Sequence, residues 1–441
     1  MRRWLLQGGA LVGAVACGSG QYFVCNDDED CAGAGGGEVC QPIGACSVPD
    51  DACPSGQRYV EGSAPSVAGE CVSAGAGTGG ESTSEDDATS PDASGEGSCP
   101  DDWWDCSWAH RQPLSLARPV GEVQLGVPVL VLLTAGRVDH ERMQTDGEDL
   151  RFVSSAGAAL PYEIERWEPE GVSMIWVGVD ALGGPADHLW LYYGNPVAED
   201  AQDRAGVWPE PFAGVWHLED EPLDATANAN DAVVMGESPI APGQIGNGRD
   251  FRGTGSHLDV LPSESLTDVF VGGATVSAWF RARGWGSSGL GRIVDKSTDG
   301  AGWLLYVADG GGLRLGLDLG DTAVGWETPL EELSLLRWTH VAITYDLLGE
   351  TVPRVFVDGV ERPLADPMAQ PLLDPDLLPT DAELPLLVGN RPAGDRRFYG
   401  VIDELRVERV ARSPEWISVQ HDSMRDALLE YGSIESWEGA P

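Results

Sequence analysis

Side chains that offer oxygen ligands are concentrated in one short segment of the chain. Asp224, Asn228, Asn230 and Asp231 place carboxylate and amide oxygens at roughly alternating positions, and Asp403 is a further oxygen donor on a later predicted strand. Ca²⁺ in proteins is bound by about six to eight such oxygens. Asp and Asn also populate tight turns, because their side chains bond to their own backbone. The segment therefore predicts either a structural calcium site, with calcium as the only cofactor, or an ordinary turn.

Four aromatic residues are candidates for a ligand-binding surface: Trp285, Trp303, Trp326 and Tyr399. Trp285 and Trp326 each follow a glycine, in stretches that predict loops. Exposed aromatic rings stack on the apolar faces of sugars, but large aromatic side chains are mostly buried. Each of the four residues is therefore either a ligand contact or part of a core.

The sequence contains no arrangement typical of a catalytic site. Neither a Gly-x-Ser-x-Gly nor a His-Glu-x-x-His motif is present. A glycosidase would need two carboxylates on one face of a sheet. Asp403 and Glu404 are adjacent, and neighbouring strand residues point to opposite faces. We therefore expect a protein that is not an enzyme.

All nine cysteines lie at or before Cys106. Setting Cys17 aside leaves an even number, and clustered, even-numbered cysteines indicate disulfides and an oxidising compartment. The absence of histidine from this cluster disfavours a zinc site. We predict that Cys99 pairs with Cys106, whereas the connectivity of the other six stays open. The predicted disulfide cysteines are Cys25, Cys31, Cys40, Cys46, Cys53, Cys71, Cys99 and Cys106.

The first 17 residues predict an export signal. Two arginines precede a short apolar run, which is too short to span a bilayer. The run ends in Ala-Val-Ala-Cys17-Gly18, which resembles a bacterial lipobox, although Ala14 stands where leucine is usual. The resemblance implies a lipid anchor on Cys17 as the only attachment to a membrane, and Gly18 favours the outer membrane or cell surface. The alternative is an ordinary signal cleaved near Ala16.

Composition divides the remaining chain into further segments. Residues 18–72 hold the cysteine cluster and predict a disulfide-stapled module. Residues 73–98 consist of small, polar and acidic residues that cannot form a core, so they predict a disordered linker. The net charge of −44 over 441 residues argues against nucleic acid as a partner, because binding phosphate needs clustered Lys and Arg.

The remaining residues predict an all-β architecture of two β-sandwich domains, at 99–200 and 212–431. Alternating apolar residues at Trp338–Asp346 and Arg354–Val357 predict two adjacent antiparallel strands. Asp358-Gly359 predicts a tight turn after them. Ser413 followed by Pro414 predicts the start of a short helix near the C-terminus.

Two family resemblances follow from ordered series of motifs. The first series is Trp-Ala-His-Arg111, Asp-Leu-Arg-Phe152, Leu-Pro-Tyr-Glu-Ile-Glu165 and Leu-Tyr-Tyr-Gly-Asn-Pro196. It resembles a bacterial domain of unknown function, number 2341 in its family list. The second series is Val215-Trp-His-Leu218, Thr275-Val-Ser-Ala-Trp-Phe280, Trp338-Thr-His-Val341, Val355-Phe-Val-Asp-Gly359 and Gly400-Val-Ile-Asp-Glu-Leu-Arg406. It resembles laminin-G-like domains of the concanavalin A-like lectin and glucanase jelly rolls.

These resemblances set the functional expectation. Laminin-G-like relatives commonly bind glycans or proteins, and many hold one calcium ion. We therefore expect a surface-anchored, non-catalytic protein whose partner is a glycan or an extracellular or envelope protein. Two alternatives stay open: an enzyme of the glycoside hydrolase type on the same fold, and a structural envelope protein without a small ligand.

Overall fold

Alternating apolar residues form antiparallel strands through most of the chain. The computed structural model describes residues 39–40, 46–49, 53, 57–59, 99–183, 188–253, 255–298, 300–320, 322–365 and 378–439. The described residues before position 60 belong to one compact unit and those from 99 onward to another. The first unit contains a three-stranded antiparallel sheet with β1 (Val39–Cys40), β2 (Cys46–Pro49) and β3 (Gln57–Tyr59).

The second unit begins with a β-sandwich. Its outer sheet has the order β26-β4-β10-β6-β7, with β27 also paired to β4. These strands are β4 (His110–Leu116), β6 (Arg151–Ser154), β7 (Ala159–Leu160), β10 (His188–Tyr193), β26 (Leu429–Tyr431) and β27 (Glu435–Ser436). Two strands of this sheet thus come from the C-terminal end of the described chain. The predicted boundaries of 99–200 and 212–431 do not separate the sandwiches, because β26 completes a sheet of the first one.

The inner sheet of this sandwich is buried on both faces. It has the order β5-β9-β8, formed by β5 (Gln124–Leu133), β8 (Tyr162–Arg166) and β9 (Ser173–Leu182). Consecutive residues of β5 and β9 are buried, including Leu130 and Trp176 on the face turned away from the outer sheet. A strand that is covered on both faces carries a continuous apolar run instead of an alternating one.

The second sandwich consists of two large antiparallel sheets that enclose the main hydrophobic core. One sheet has the order β13-β14-β25-β16-β21-β22-β23, with β11 also paired to β25. Its strands are β11 (Phe212–Trp216), β13 (Ile240–Pro242), β14 (Asn247–Phe251), β16 (Ala274–Gly284), β21 (Trp338–Tyr345), β22 (Arg354–Val357), β23 (Val360–Arg362) and β25 (Tyr399–Glu408). The predicted pairing of β21 with β22 is confirmed, and Asp358 and Gly359 turn the chain into β23 with positive φ angles.

The opposite sheet has the order β12-β15-β24-β17-β18-β19-β20. Its strands are β12 (Ala232–Met235), β15 (His257–Val260), β17 (Leu290–Thr298), β18 (Ala301–Ala308), β19 (Gly312–Asp318), β20 (Ala323–Glu327) and β24 (Leu386–Val388). The helical segments are α1 (Arg204–Val207), α2 (Pro414–Met424) and two 3₁₀ turns, His140–Arg142 and Ser287–Gly289. Two packed antiparallel sandwiches make the described chain all-β, as predicted.

One apolar cluster joins the two sandwiches. Val129 and Trp176 of the first sandwich belong to the same buried cluster as Trp279 and Phe356 of the second. Helix α2 lies in this layer, and its buried Gln420 donates a hydrogen bond to the Pro128 carbonyl oxygen (2.6 Å). As predicted, Ser413 caps the helix by accepting a hydrogen bond from the Trp416 backbone N–H. The two sandwiches are therefore joined by a shared apolar layer instead of by a free connector.

Candidate functional site

The loop proposed as a calcium site is closed by its own hydrogen bonds. The Asp224 carboxylate accepts hydrogen bonds from the backbone N–H groups of Val215, Thr226 and Asn230 and from the Thr226 hydroxyl, at 2.8–3.0 Å. Asp231 accepts one from the Asp224 N–H. Donors therefore surround these carboxylates, as in a side-chain-stabilised turn.

The amides of the same loop also serve the fold. Asn228 donates to the carbonyl oxygens of Phe212 and Ala213, and Asn230 donates to Ala213 as well. Asp403 accepts hydrogen bonds from Gln244 and Ile245 in a different turn. The five residues do not fit one calcium ion, because Asp224 and Asp231 already accept hydrogen bonds and the two amides donate to the backbone. Among the described residues, Asp224, Asp231 and Asp403 do not form a group that could hold a metal. Calcium binding stays a prediction that this geometry does not favour.

The four aromatic candidates separate into buried and exposed residues. Trp303 and Trp326 are each only 2% exposed and belong to the jelly-roll core, on β18 and β20. Trp285 is half-buried and packs against the same core. Tyr399 is 40% exposed. Among these four residues, Tyr399 is the most exposed, because the three tryptophans pack in or against the core.

Arginines surround the Tyr399 ring, and we call Tyr399, Arg252, Arg283 and Arg397 the Tyr399 patch. The guanidinium carbons of Arg283 and Arg397 lie 5.2 and 5.7 Å from the ring centroid, within the range of cation–π attraction. Asp250 forms ion pairs with Arg283 and with Arg252, the latter at 2.7 Å. The patch thus holds three guanidinium groups, of which two pair with Asp250, and this leaves it cationic in a strongly acidic chain.

A second group of polar side chains is buried where the two sandwiches meet. This interface cluster comprises Glu163 and Glu165 on β8, His217 after β11, and Glu404 and Arg406 on β25. The side chains of Glu163, Glu165, His217, Glu404 and Arg406 are 8%, 1%, 4%, 0% and 2% exposed. The sequence analysis did not single out this cluster.

Short distances connect the members of the interface cluster. His217 Nδ1 lies 2.5 Å from Glu404 Oε1 and 3.6 Å from Glu165 Oε2, and His217 Nε2 lies 3.3 Å from Glu163 Oε1. Arg406 Nη2 lies 2.5 Å from Glu404 Oε2. One carboxylate of the first sandwich and one of the second thus approach the same imidazole nitrogen.

Aromatic residues of the first sandwich enclose the cluster. The Trp176 indole N–H donates to Glu165 Oε2 (2.5 Å), and the Trp208 indole N–H donates to Glu163 Oε2 (2.8 Å). The Arg406 guanidinium carbon lies 4.5 and 4.7 Å from these two rings. The indoles both shield the charges from water and satisfy one oxygen of each glutamate.

A β-bulge in β25 brings Glu404 into the cluster. Opposite β16, Ser277 pairs with Arg406 and Trp279 pairs with Asp403, so β25 contains one extra residue. Glu404 accordingly has a φ of 49°. Ile402 and Leu405 on either side both face the jelly-roll core, which places Asp403 and Glu404 together on the outer face. The prediction that these two residues point to opposite faces is therefore wrong.

The buried charges shift one another's pKa in opposite directions. Burial and the charge of Glu404 raise the pKa of Glu165 to about 8. Burial opposes ionisation of Glu404, but His217 and Arg406 outweigh it and lower its pKa to about 2. Burial also opposes the His217 imidazolium, but Glu404 and Glu163 raise its pKa well above the ordinary value. Glu404 is thus ionised and His217 protonated at neutral pH, whereas Glu165 retains its proton.

Two carboxyl groups with separated pKa values are also a feature of acid–base catalysis. Here Glu165 and Glu404 are 1% and 0% exposed, behind the indoles. A glycan chain needs open access to both groups, so this arrangement does not provide a hydrolytic site. The signal that sequence reasoning missed is the presence of charged residues within apolar strand patterns, at Glu165, His217 and Glu404.

The remaining predicted site residues concern the N-terminal part of the chain. The disulfide between Cys99 and Cys106 is confirmed, with Cα atoms 5.8 Å apart. Cys53 is also disulfide-bonded, and Cys40 and Cys46 lie opposite each other on β1 and β2. Cys17, Cys25, Cys31 and Cys71, and the linker at 73–98, lie outside the described residues. Within the described residues, no helix is both long and apolar enough to cross a membrane.

The fold defines the class of the second unit: a double β-sandwich whose C-terminal part is a concanavalin A-like jelly roll. Residues 252–418 match the concanavalin A-like lectin/glucanases superfamily (Laminin_G_3). Residues 146–226 match a domain of unknown function (DUF2341). Both predicted resemblances are confirmed. No curated protein is significantly similar to the chain.

Two toxin domains are among the solved structures that are similar to part of the chain. The binding domain of paraclostridial mosquitocidal protein 1 is 16% identical, with a TM-score of 0.39 over 48% of this chain and 52% of that one. The binding domain of botulinum neurotoxin DC, solved with rat synaptotagmin II, is 12% identical, with a TM-score of 0.39 over 49% of this chain and 52% of that one. The matches span about half of each neighbour.

Proposed function

We propose that this chain is a non-catalytic binding protein of the cell envelope, and that its jelly roll binds a glycan through the Tyr399 patch. The observation that carries the proposal is the exposed aromatic ring of Tyr399 among arginines. Gly284 lies opposite Tyr399 in the pairing of β25 with β16. A Cβ at Gly284 would lie 3.2 Å from the ring, so the glycine allows the ring to lie close against the backbone.

The charge of the patch favours an acidic ligand. Arg283 and Arg397 would bind carboxylate or sulfate groups, while the tyrosine ring would stack on a sugar face. The rest of the molecule is strongly acidic, since the net charge is −44. Long polyanions would therefore be repelled beyond the patch, which favours short acidic glycans over nucleic acid.

Glycan arrays with neutral, uronate-containing, sialylated and sulfated members test this proposal on the full chain. We expect retention of acidic glycans and a roughly tenfold loss of affinity in Tyr399→Ala, corresponding to about 1.4 kcal/mol of stacking energy. Higher salt should weaken binding, because exposed ion pairs are screened.

Arg354→Ala is the matched control, because Arg354 is a partly exposed arginine of the same sandwich, paired with Glu361 outside the patch. It should leave affinity unchanged, whereas Arg397→Ala should weaken binding of acidic glycans. Failure of the wild-type chain to bind any glycan would contradict the proposal and favour a protein ligand or a structural role in the envelope.

Attachment to the envelope rests on the lipobox-like sequence at Cys17. A lipid on this cysteine would hold the chain on a membrane, and the acidic segment at 73–98 would act as a spacer. Cys17→Ala should move the protein from the membrane fraction to the soluble fraction of expressing cells. Membrane association that survives this substitution would contradict the anchor but not the binding proposal.

A further inference from the structure

The interface cluster has the composition of a metal site. One carboxylate oxygen of Glu165, one ring nitrogen of His217 and one carboxylate oxygen of Glu404 all lie within 4.8 Å of one another. Ligands of one zinc-sized ion lie about 2.0–2.2 Å from it, and therefore roughly 3–3.5 Å apart. The Glu165 Oε2–His217 Nδ1 distance of 3.6 Å is close to this range, and the 2.5 Å between His217 Nδ1 and Glu404 Oε1 would have to widen.

One carboxylate oxygen of the interface cluster lacks a hydrogen-bond partner. Glu165 Oε1 is buried and has no hydrogen-bond partner, although the side chain is 1% exposed. Leaving a buried polar atom unsatisfied is unfavourable, and an unsatisfied group in a well-packed layer indicates a missing partner. His217 Nε2, in contrast, lies 3.3 Å from Glu163 Oε1 and is paired with it.

Outer contacts orient each of the three side chains. Arg406 pairs with Glu404 Oε2, so that Glu404 Oε1 faces the His217 imidazole. Trp176 holds Glu165 by Oε2, and Glu163 lies beside His217 Nε2. Metal-binding carboxylates and histidines are characteristically fixed in this way by a second layer of donors and acceptors.

The donor set selects the kind of ion. One imidazole nitrogen with two carboxylate oxygens suits zinc and neighbouring divalent transition ions, whereas calcium requires more oxygen donors. Binding of the ion would displace the protons of His217 and Glu165, and the two carboxylates would then balance its charge. The ligands come from both sandwiches, since Glu165 lies on β8 and Glu404 on β25.

We propose that Glu165, His217 and Glu404 form a binding site for one divalent transition-metal ion of the zinc class, which ties the first sandwich to the jelly roll. This site is independent of the glycan-binding proposal, because the Tyr399 patch is a separate group of exposed residues. Its role is structural: the three ligands come together only when both sandwiches are folded and packed, so binding of the ion favours that packed state.

The test uses the full chain, purified from cells grown with added Zn²⁺ and, in parallel, stripped with EDTA and titrated with Co²⁺. Elemental analysis should find one equivalent of zinc per chain, and Co²⁺ should give the visible absorption bands of an ion bound by nitrogen and oxygen. Metal should raise the melting temperature of the stripped chain. Ca²⁺, added to a parallel sample, should give no shift if the loop at Asp224 is an ordinary turn.

Glu165→Gln and His217→Phe should each weaken Co²⁺ binding at least tenfold. Glu408→Gln is the matched control, because Glu408 is an equally buried glutamate on the same strand, paired with Arg412; it should retain the ion. Absence of bound zinc and cobalt in the folded wild type would overturn the proposal. Thiolate absorption bands, or full binding by both ligand variants, would also overturn it by assigning the metal to the cysteines.

If a ligand variant does not fold, the metal stoichiometry and the Co²⁺ spectrum of the wild type are sufficient to test the proposed metal site. One cobalt with nitrogen and oxygen ligands supports the site, because no second histidine-containing cluster of this kind is found among the described residues. A wild type that folds and binds neither ion rejects it.

Discussion

At the scale of single residues, the layer between the sandwiches contains both charged and uncharged ionisable groups. Burial stabilises uncharged forms, and only groups with a close partner of opposite charge stay ionised there. His217 has such partners in Glu163 and Glu404 and is held protonated. His340 lies on the same face of the jelly roll, but burial and the nearby charges of His421 and Arg406 lower its pKa well below the ordinary value. At neutral pH, burial and its neighbours thus favour the charged form of His217 and the uncharged form of His340.

His340 should make the folded state sensitive to mild acid. Its ring packs against Trp279 and His421, with centroids 5.2 and 5.8 Å away. The unfolded chain takes up a proton near pH 6.5, whereas folded His340 resists it. The free energy of unfolding should therefore decrease as the pH falls below 6.5. The decrease should be up to about 1.4 kcal/mol per pH unit until the pKa of folded His340 is reached.

The measurement compares urea unfolding of the wild type and His340→Phe between pH 5 and 7.5. As the pH falls, the wild type should lose stability relative to His340→Phe, because phenylalanine fills similar space and does not titrate. A difference that does not change with pH would show that His340 has an ordinary pKa in the folded protein.

At the scale of elements, the strands were largely predictable and their irregularities were not. The alternation of Val341, Ile343 and Tyr345 predicted β21, although this strand is buried on both faces instead of one. Ser413 with Pro414 predicted the start of α2. The bulge at Glu404 has no local signal, because adjacent strand residues normally face opposite ways. The interface cluster could not be assembled from sequence either, since Glu165, His217 and Glu404 come from three distant segments. The glycine before Trp326 predicts a loop, yet Trp326 lies on a core-facing strand, as does Trp303.

Strand β26 should be essential to the first sandwich. Leu428 and Leu429 are buried, and Arg137 forms an ion pair with Asp426 (2.7 Å). A chain ending at residue 425 loses these contacts and should be destabilised by about 3–6 kcal/mol, from burial of two leucines at about 1.5–3 kcal/mol each. Urea unfolding of the truncated chain gives this difference.

A chain ending at residue 432 is the control, because it retains β26 and loses only β27 and the residues around it. We expect its stability to fall much less. Equal destabilisation by the two truncations would mean that β27, with the ion pair between Arg111 and Glu435, contributes as much as the leucines.

At the scale of the whole molecule, the two sandwiches form one folding unit. They share an apolar cluster, α2 packs in the layer between them, and the outer sheet of the first sandwich ends on strands from the far end of the chain. Domains with small, polar interfaces move independently, whereas a large apolar interface couples them. We therefore expect the second unit to open as a whole.

Hydrogen exchange under native conditions tests this coupling. Peptides covering β10 in the first sandwich and β21 in the jelly roll should open with the same free energy. Met424→Ala removes a buried side chain from the shared layer and should lower both values together by about 2–5 kcal/mol. Exchange of β10 at a lower free energy than β21, or a variant that affects one alone, would mean that the sandwiches unfold separately.

Because β26 pairs with β4, the outer sheet of the first sandwich can be completed only late in translation. A ribosome finishes β10 at Tyr193 but does not reach β26 until Leu429, more than 200 residues later. At about 5–20 residues per second, that interval lasts roughly 10–50 s. During this interval, the edge of β4 that later pairs with β26 is unpaired and could pair with other strands. A chaperone that binds such an edge would act mainly in this interval.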